Sequence, residues 1–295
     1  MKVAVILVNF NGISDTIECI ESLHCSKIPL EIVVVDNDSN DNEALRISQK
    51  YPNVEVIHLN QNLGFTGGNN VGIQWALSKG YEYIALLNND TIIDNNLFSA
   101  LLEFADKNTV VAPYMYYHSA PNTLWFGGGK INRWTGNVNH IYKQQKDNKT
   151  FYCDFVTGCC FLAHRSIWEN VGLLNDDYFM YNEDSEFSIR LQKSGIKIRI
   201  IPSAKLWHKV GRSSGGRVSL LSSYYVTRNR LYLLKTHKDF FKPSAYLFSL
   251  ITRYIWALRM LISGKKDIAD AFIQGIKDSK KNVMGKKILN FTYHK

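Results

Sequence analysis

Short apolar runs punctuate the first part of the chain, with room for a helix between each pair. They are Val3–Val8, Ile32–Val35 within Glu31–Asp36, Val54–Leu59, Tyr83–Leu87 and Val110–Ala112. Between the first two, Ile13, Ile17, Ile20 and Leu23 recur at helical spacing on one face. Polar Asn37–Asn42 then leads into a helix reaching about Tyr51, Gly67–Lys79 reads as another, and Asp94 reads as the N-cap of a helix through Ala105. Strands alternating with helices over 1–112 predict an α/β fold with a Rossmann-like, mostly parallel sheet and helices on both faces. Ligands of such sheets sit beyond the carboxyl ends of the strands, where Asn9–Asn11, Asp36, Gly64 and Asp90 all fall.

The pattern loosens over residues 113–165. Tyr116, Tyr117, Trp125, Trp134 and Tyr142 are interleaved with Gly127–Gly129 and Gly136, which predicts a hairpin or an irregular β section. Phe151–Val156 and Cys159–His164 read as strands, Ser166–Val171 and Ser185–Ser194 as helices, and Lys197–Ile201 and Ala204–Trp207 as two further strands. Gly211–Gly216 is a Gly/Ser loop, and a helix resumes from Val218 to about Lys235. These patterns divide the chain into a body over 1–235, with halves 1–112 and 113–235, and a tail over 236–295.

Charge sharpens that division. The formal net charge of +9 belongs to the tail, because residues 235–295 hold 13 Lys and Arg against 4 Asp and Glu, and residues 1–234 hold 22 of each. A neutral body with a basic tail points to an anionic surface as partner of the tail. Within it, Ser244–Ile262 is apolar enough to pass for a membrane span. Ser249, Thr252, Arg253, Arg259 and Ser263 share one side of its helical wheel, however, with Trp256 among them. Each arginine would cost about 2.5–3.5 kcal/mol at a bilayer centre, whereas a helix lying in the interface avoids that cost. Lys265, Lys266, Lys280, Lys281, Lys286 and Lys287 add attraction to anionic lipid. The competing expectation is a helix docked on the body with a solvated basic end. Met1-Lys2 runs straight into the first strand with no cleavage pattern, and the five cysteines show no framework spacing. Both predict a cytoplasmic setting. No nucleic-acid-binding motif is present, and a homo-oligomer is compatible with the composition.

Candidate chemistry is spread over five places. Asp36 ends the second strand, where a carboxylate suits a nucleotide's ribose or base, though a turn aspartate has the same signature. Asn60-Gln-Asn-Leu-Gly64-Phe-Thr-Gly-Gly68 is a glycine-rich turn feeding a helix, of the kind that brings backbone N–H groups to a phosphate. Its spacing is not that of the dinucleotide fingerprint. Asn88-Asn-Asp90 presents oxygen ligands two residues apart, suited to a hard divalent cation. Glu183-Asp184 with Glu186 places acids at a helix start, where they complement the helix dipole or take a proton from a hydroxyl. His208 follows the last strand.

Taken together, Val8-Asn-Phe-Asn-Gly12, Val35-Asp-Asn-Asp-Ser39, Asn62-Leu-Gly-Phe-Thr-Gly-Gly-Asn-Asn70, Leu87-Asn-Asn-Asp90, Thr157-Gly158, Tyr181-Asn-Glu-Asp184, Arg190 and His208-x-x-Gly211-x-Ser213 resemble the family 2 glycosyltransferases of the GT-A fold, in their rhamnosyltransferase-like branch. Tyr224-Tyr-Val-Thr-Arg-Asn-Arg230 is similar to the segment that follows there, so the resemblance covers about residues 1–235. It implies an inverting, metal-dependent transfer of a sugar from a nucleoside-diphosphate sugar, dTDP-rhamnose first, to a lipid-linked or glycan acceptor. Phe10, Asp36, Asn62, Gly64, Asn69 and Asn89 would line the donor nucleotide. Asp90, Asn88 and His208 would hold Mg²⁺ or Mn²⁺, with Asn88 departing from the family's Asp-x-Asp. Asp184 would be the catalytic base, and Glu183, Arg190, Arg228 and Arg230 would face acceptor or diphosphate. The tail would keep the enzyme peripheral on the inner face of the plasma membrane. A nucleotidyltransferase lacks support because no N-terminal glycine loop with a basic residue is present, and the retained acids argue against a silent sugar-nucleotide-binding scaffold.

Overall fold

The computed structural model describes residues 2–145, 147–210 and 219–289. The first half alternates as expected: β1 (Val3–Asn9), α1 (Ile13–His24), β2 (Glu31–Asp36), α2 (Glu43–Lys50), β3 (Glu55–His58), α3 (Gly64–Ser78) and β4 (Tyr83–Leu87). Then come β5 (Thr91–Ile93), α4 (Leu97–Leu102), β6 (Thr109–Tyr117), β7 (Ala120–Phe126), β8 (Gly129–Ile131), β9 (Val138–His140), β10 (Phe151–Cys153) and β11 (Cys160–His164). The remainder is α5 (Arg165–Val171), α6 (Glu183–Lys193), β12 (Lys197–His208), α7 (Leu220–Thr236), α8 (Pro243–Ile262) and α9 (Lys266–Lys281). The Gly211–Gly216 loop, with Gly211 and Ser213, lies outside the described residues.

One large sheet runs in the order β10-β12-β6-β11-β4-β1-β2-β3, and β5 and β7 pair at its edges with β12 and β6. Neighbouring registers make β1, β2, β3, β4, β6 and β12 point the same way, with β11 and β10 reversed. Strands β1, β2 and β4 are buried on both faces, which is why they read as unbroken apolar runs rather than alternating ones. Helix α3 lies over β1 and β2. It can do so closely because a side chain at Gly72 would meet Ile6 at 2.3 Å.

Several boundaries differ from expectation. The glycine turn is already helical, so α3 starts at Gly64 rather than Gly67. Asp94 does not cap a helix: it accepts from Asn96 N at 2.9 Å in a turn, and α4 is the short helix Leu97–Leu102. The two strands around residue 203 are one strand, β12, with a register shift between Ile201 and Lys205. Pro202, which has no N–H to give the ladder, occupies that bulge. The length of β12 matters for the site. Its end pairs with β5, His208 opposite Thr91, and so carries the histidine to the residue next to Asp90.

The last three helices form a layer of their own, α9 packing against both α7 and α8. Helix α8 is amphipathic, as the wheel predicted, and the Ser249–Arg253 stretch of its polar side faces the protein, while Arg259 and Ser263 are exposed. Ser249 is fully buried and Arg253 partly so, while Leu247 (58% exposed), Ile251, Ile255 and Leu258 (57%) face outward.

Candidate active site

At the carboxyl ends of the parallel strands the side chains are already wired together. Asn89 Nδ2 donates to Thr16 Oγ1 (2.8 Å), which donates to Asn9 Oδ1 (2.6 Å). Asn9 Nδ2 in turn donates to Asp36 Oδ1 (2.8 Å) and Glu43 Oε2 (2.8 Å). The other Asp36 oxygen accepts from Ser39 N (3.2 Å) and lies 3.1 Å from His58 Nδ1. Asp36 is thus the buried keystone of a pocket floor, not a free acceptor on the rim. A cleft of about 340 Å³ opens here, lined by Asp36, Ser39, Glu43, Leu45, Val56 and His58. Phe10, 49% exposed, stands at the end of β1. Sequence reasoning missed Asn9, Glu43 and His58 as members of this network. The signal for two of them was available, because Asn9 and His58 close β1 and β3 as Asp36 closes β2.

The glycine turn is braced from β2. Asn37 Nδ2 donates to Gly64 O (2.9 Å) and Asn62 Oδ1 (3.2 Å), and Asn37 Oδ1 accepts from Leu63 N (2.8 Å). Gly64 has φ +77°, and a Cβ there would lie 2.1 Å from Phe179 O. The turn therefore needs glycine to let the segment before α6 pass over it. Asn69, expected on the nucleotide, is turned into its own helix, buried, with Nδ2 on Phe65 O at 2.8 Å.

On the other side of β4, Asp90 Oδ1 and His208 Nε2 stand 3.1 Å apart, both side chains nearly buried. Asn88 Oδ1 and His208 Nδ1 are buried with no hydrogen-bond partner among the described residues. A carboxylate, an imidazole and an amide oxygen make a donor set that suits Mg²⁺ or Mn²⁺. The 3.1 Å spacing is close to the roughly 3 Å edge of an octahedron with 2.1 Å ligand distances. Among the described residues no group of three or more His, Cys, Asp and Glu side chains gathers at one point. Any ion held here would keep positions for ligands other than protein carboxylates.

The acids open α6 behind an unusual turn. Tyr181 and Asn182 both lie in the left-handed region, φ 67° and 69°, a conformation that costs an ordinary side chain about 1–2 kcal/mol. Asn229 on α7 holds the turn, its Nδ2 donating to Met180 O (2.8 Å) and Tyr181 O (2.7 Å). Asp184 then accepts from Ser185 N (2.7 Å) and Gly158 N (3.4 Å). Burial outweighs these donors and pushes its carboxyl up to about 6. Glu183 is buried, with Oε2 unpartnered among the described residues. Burial first, and the Asp184 charge second, hold it well above the usual carboxylate range. One backbone segment joins acid to rim: Gly158 N donates to Asp184, and Cys159 O accepts from Asn88 N at 2.8 Å.

Comparison with known proteins identifies the family of the chain. The profile of glycosyl transferase family 2 matches residues 4–172, more than half of the chain. The chain belongs to glycosyl transferase family 2. This family 2 glycosyltransferase is 26% identical over 214 residues to the dTDP-rhamnosyl transferase RfbF of Shigella flexneri, covering 69% of this chain and 70% of that protein. It is also 26% identical over 215 residues to the N-acetylglucosaminyl-diphospho-decaprenol L-rhamnosyltransferase of Mycobacterium tuberculosis, covering 63% of this chain and 69% of that protein. Its GT-A fold is shared with GalNAc-T7, solved with UDP, GalNAc and Mn²⁺, at TM-score 0.65 and 16% identity over 96% of this chain and 57% of that one. S. aureus TarS with UDP-GlcNAc matches at TM-score 0.58 and 19% identity, over 96% and 84%.

Three arginines expected at the active site of the family 2 enzyme are engaged elsewhere. Arg190 pairs with Glu186 (2.9 Å) and donates to Val171 O (2.7 Å) and Leu173 O (2.6 Å), closing the loop after α5. Arg228 is fully buried beside the Tyr224 and Tyr225 rings and donates to Gly285 O (2.8 Å), fastening the segment after α9. Arg230 donates to Ser249 Oγ (3.0 Å) on α8 and to Thr135 O (3.1 Å). Their sequence signal was the resemblance to family motifs, which does not distinguish a phosphate ligand from a partner of a backbone carbonyl.

Proposed function

We propose that this glycosyltransferase inverts the anomeric centre of a nucleoside-diphosphate sugar, dTDP-rhamnose first, while transferring the sugar to a hydroxyl of a lipid-linked glycan acceptor. The observation that carries this reading is the short backbone link from Asn88 through Cys159 and Gly158 to Asp184. It supports a reading in which Asp184, its carboxyl raised by burial, would act as base beside the strand end suited to a diphosphate. The Asn9–Asp36–His58 network and Phe10 would seat the nucleoside, with the Asn62–Gly64 turn beside it. Asp184 accepts the proton of the acceptor hydroxyl as its oxygen bonds to the anomeric carbon, and the bond from that carbon to the diphosphate oxygen breaks. A carboxylate with a pKa near 6 is mostly ionised at neutral pH and still basic enough to take a proton. Asp90, His208 and Asn88 would hold Mg²⁺ or Mn²⁺, which when bound neutralises charge on the diphosphate. The rhamnosyltransferase names of two relatives support the choice of sugar, and the decaprenol-linked substrate in one of those names supports the choice of acceptor.

The body over 1–235 would carry the chemistry, with 236–295 holding it peripherally on the inner membrane face. Helix α8 is long and apolar enough to cross a membrane by length and composition. Its polar side is committed to Arg230 and its apolar side is open, which favours lying in the interface. The test is a panel of sugar nucleotides with a polyprenyl-diphosphate-linked acceptor, assayed with and without EDTA. Release of dTDP coupled to glycosylated lipid, abolished by EDTA, is expected. Transfer unaffected by EDTA refutes the metal, and retention of configuration refutes the single displacement. Liposome flotation of full-length protein with Leu247→Glu and Leu258→Glu should show loss of binding, and unchanged binding refutes the membrane face.

A further inference from the structure

Beneath α8, Arg230 and Arg253 share a partly buried space. Arg230 reaches Ser249 Oγ at 3.0 Å, and its Nη2 donates to Thr135 O and Asn137 Oδ1. Ser249 and Arg253 are four residues apart on one helix, so Arg253 stands one turn beyond that contact on the same face. Its Nε is buried with no hydrogen-bond partner among the described residues. The arginine–carboxylate pairs among those residues are Arg165–Glu169 and Arg190–Glu186, so neither Arg230 nor Arg253 has an acid. Burial and then the Arg253 charge lower Arg230 to about 10, and burial lowers Arg253. Two like charges withdrawn from water without a counter-ion are unfavourable unless an anion completes the group. Planar guanidinium forks match phosphate oxygens in pairs.

The surroundings say where the anion comes from. Trp134, 64% exposed, borders the space through the 133–137 turn; Ser244 Oγ donates to Trp134 O at 2.9 Å, and Lys242 Nζ lies 5.7 Å from the Trp134 ring centre. An exposed tryptophan, a lysine and an outward apolar helix are the groups that settle at lipid headgroup depth. We propose that Arg230 and Arg253 bind a lipid-borne phosphate, separate from the donor site, beside the Ser249 hydroxyl that accepts from Arg230 and donates to Thr135 O. The proposal rests on the membrane reading of α8 and supplies its headgroup contact. The phosphate belongs either to a bilayer phospholipid or to a polyprenyl carrier.

Arg253→Met is the informative variant, because Arg253 makes no side-chain hydrogen bond among the described residues whose loss would unfold the layer. Thermal unfolding of the full chain is followed against inorganic diphosphate, in EDTA to silence the donor site and at constant ionic strength. The wild type should gain several degrees at millimolar diphosphate. Arg253→Met should start from a higher midpoint, since it relieves the like-charge contact, and should need at least tenfold more diphosphate for the same shift. A wild type that does not respond, or a variant that responds equally, overturns the site. Flotation with vesicles of phosphatidylcholine, alone or carrying phosphatidylglycerol or undecaprenyl phosphate, separates the sources. Loss confined to phosphatidylglycerol vesicles assigns the headgroup, and loss confined to undecaprenyl phosphate assigns the carrier. Equal binding of both proteins to both vesicle types refutes the lipid origin. Leu258→Glu should abolish flotation yet keep the diphosphate shift, so failure of the membrane reading is told apart from failure of the site.

Discussion

Replacing Asp184 by asparagine should stabilise the protein while stopping its chemistry. The carboxyl is raised from 3.8 to about 6 by burial, which corresponds to roughly 3 kcal/mol of unfavourable charge burial above pH 6. Because the folded pKa lies above the unfolded one, the favourable contribution is complete below about pH 4. It is lost as pH rises through 6 and is constant beyond. An asparagine removes that slope. Its amide keeps an oxygen for Ser185 N but turns a donor toward Gly158 N, so about 1–2 kcal/mol of the gain should survive at pH 8. At about 2–4 °C per kcal/mol, the melting temperature should rise by a few degrees at pH 8 and fall by a few degrees at pH 4, where only the amide's mismatch with Gly158 N remains. Turnover should fall about 10²–10⁴-fold with donor affinity unchanged, and the wild-type rate should decline below pH 6. The measurements are calorimetry at the two pH values, donor titration calorimetry, and kcat against pH. A variant that is less stable at pH 8, or one that turns over normally, would show that Asp184 is not the buried base.

Gly64→Ala should lose well over 3 kcal/mol in urea unfolding, combining left-handed strain with a Cβ 2.1 Å from Phe179 O. Gly80→Ala, at φ +78° in open space, should lose only about 1 kcal/mol, and equal losses would discount the close approach. Asn229→Ala strips both carbonyls of the left-handed turn and should cost about 2–4 kcal/mol. It should also lower kcat at least tenfold with donor KM nearly unchanged. Tyr224→Phe, which cuts only the bond to Asp278 in the same layer, should lower stability without that drop. A matching drop would make Asn229 merely structural.

The alternation of strands and helices in the first half was legible because β1, β2 and β4 are buried on both faces and so read as short unbroken apolar runs. Strand β5 was not, since its three residues pair at the sheet edge and directly follow the Asn88–Asp90 step. The interruption at Pro202 hid the continuity of β12 for a similar local reason, although the ladder resumes three residues later. The acids and the histidine were legible because strand ends and helix starts are local features. Arg190, Arg228 and Arg230 were not, because a long side chain's partner is chosen by tertiary packing: carbonyls of one loop, of the segment after α9, and the hydroxyl of Ser249. The amphipathic character of α8 could be read from its wheel, but which side faces the protein depends on Arg230, from another helix.

The contact between Gly64 and the backbone of Phe179 constrains how such an enzyme can be rebuilt. The strand-end turn at residues 62–66 and the segment at 178–182 touch at Gly64, which lies against both the carbonyl and the ring of Phe179, and Thr66 N and Oγ1 also bond to the Phe179 and Tyr178 carbonyls. The two segments are a single casting in two pieces of sequence more than a hundred residues apart. A chimera that took residues 1–112 from one relative and 113–235 from another would join mismatched halves of that casting. Exchange of either segment between relatives would therefore require both to travel together, with the Asn37 and Asn229 braces that hold each in place.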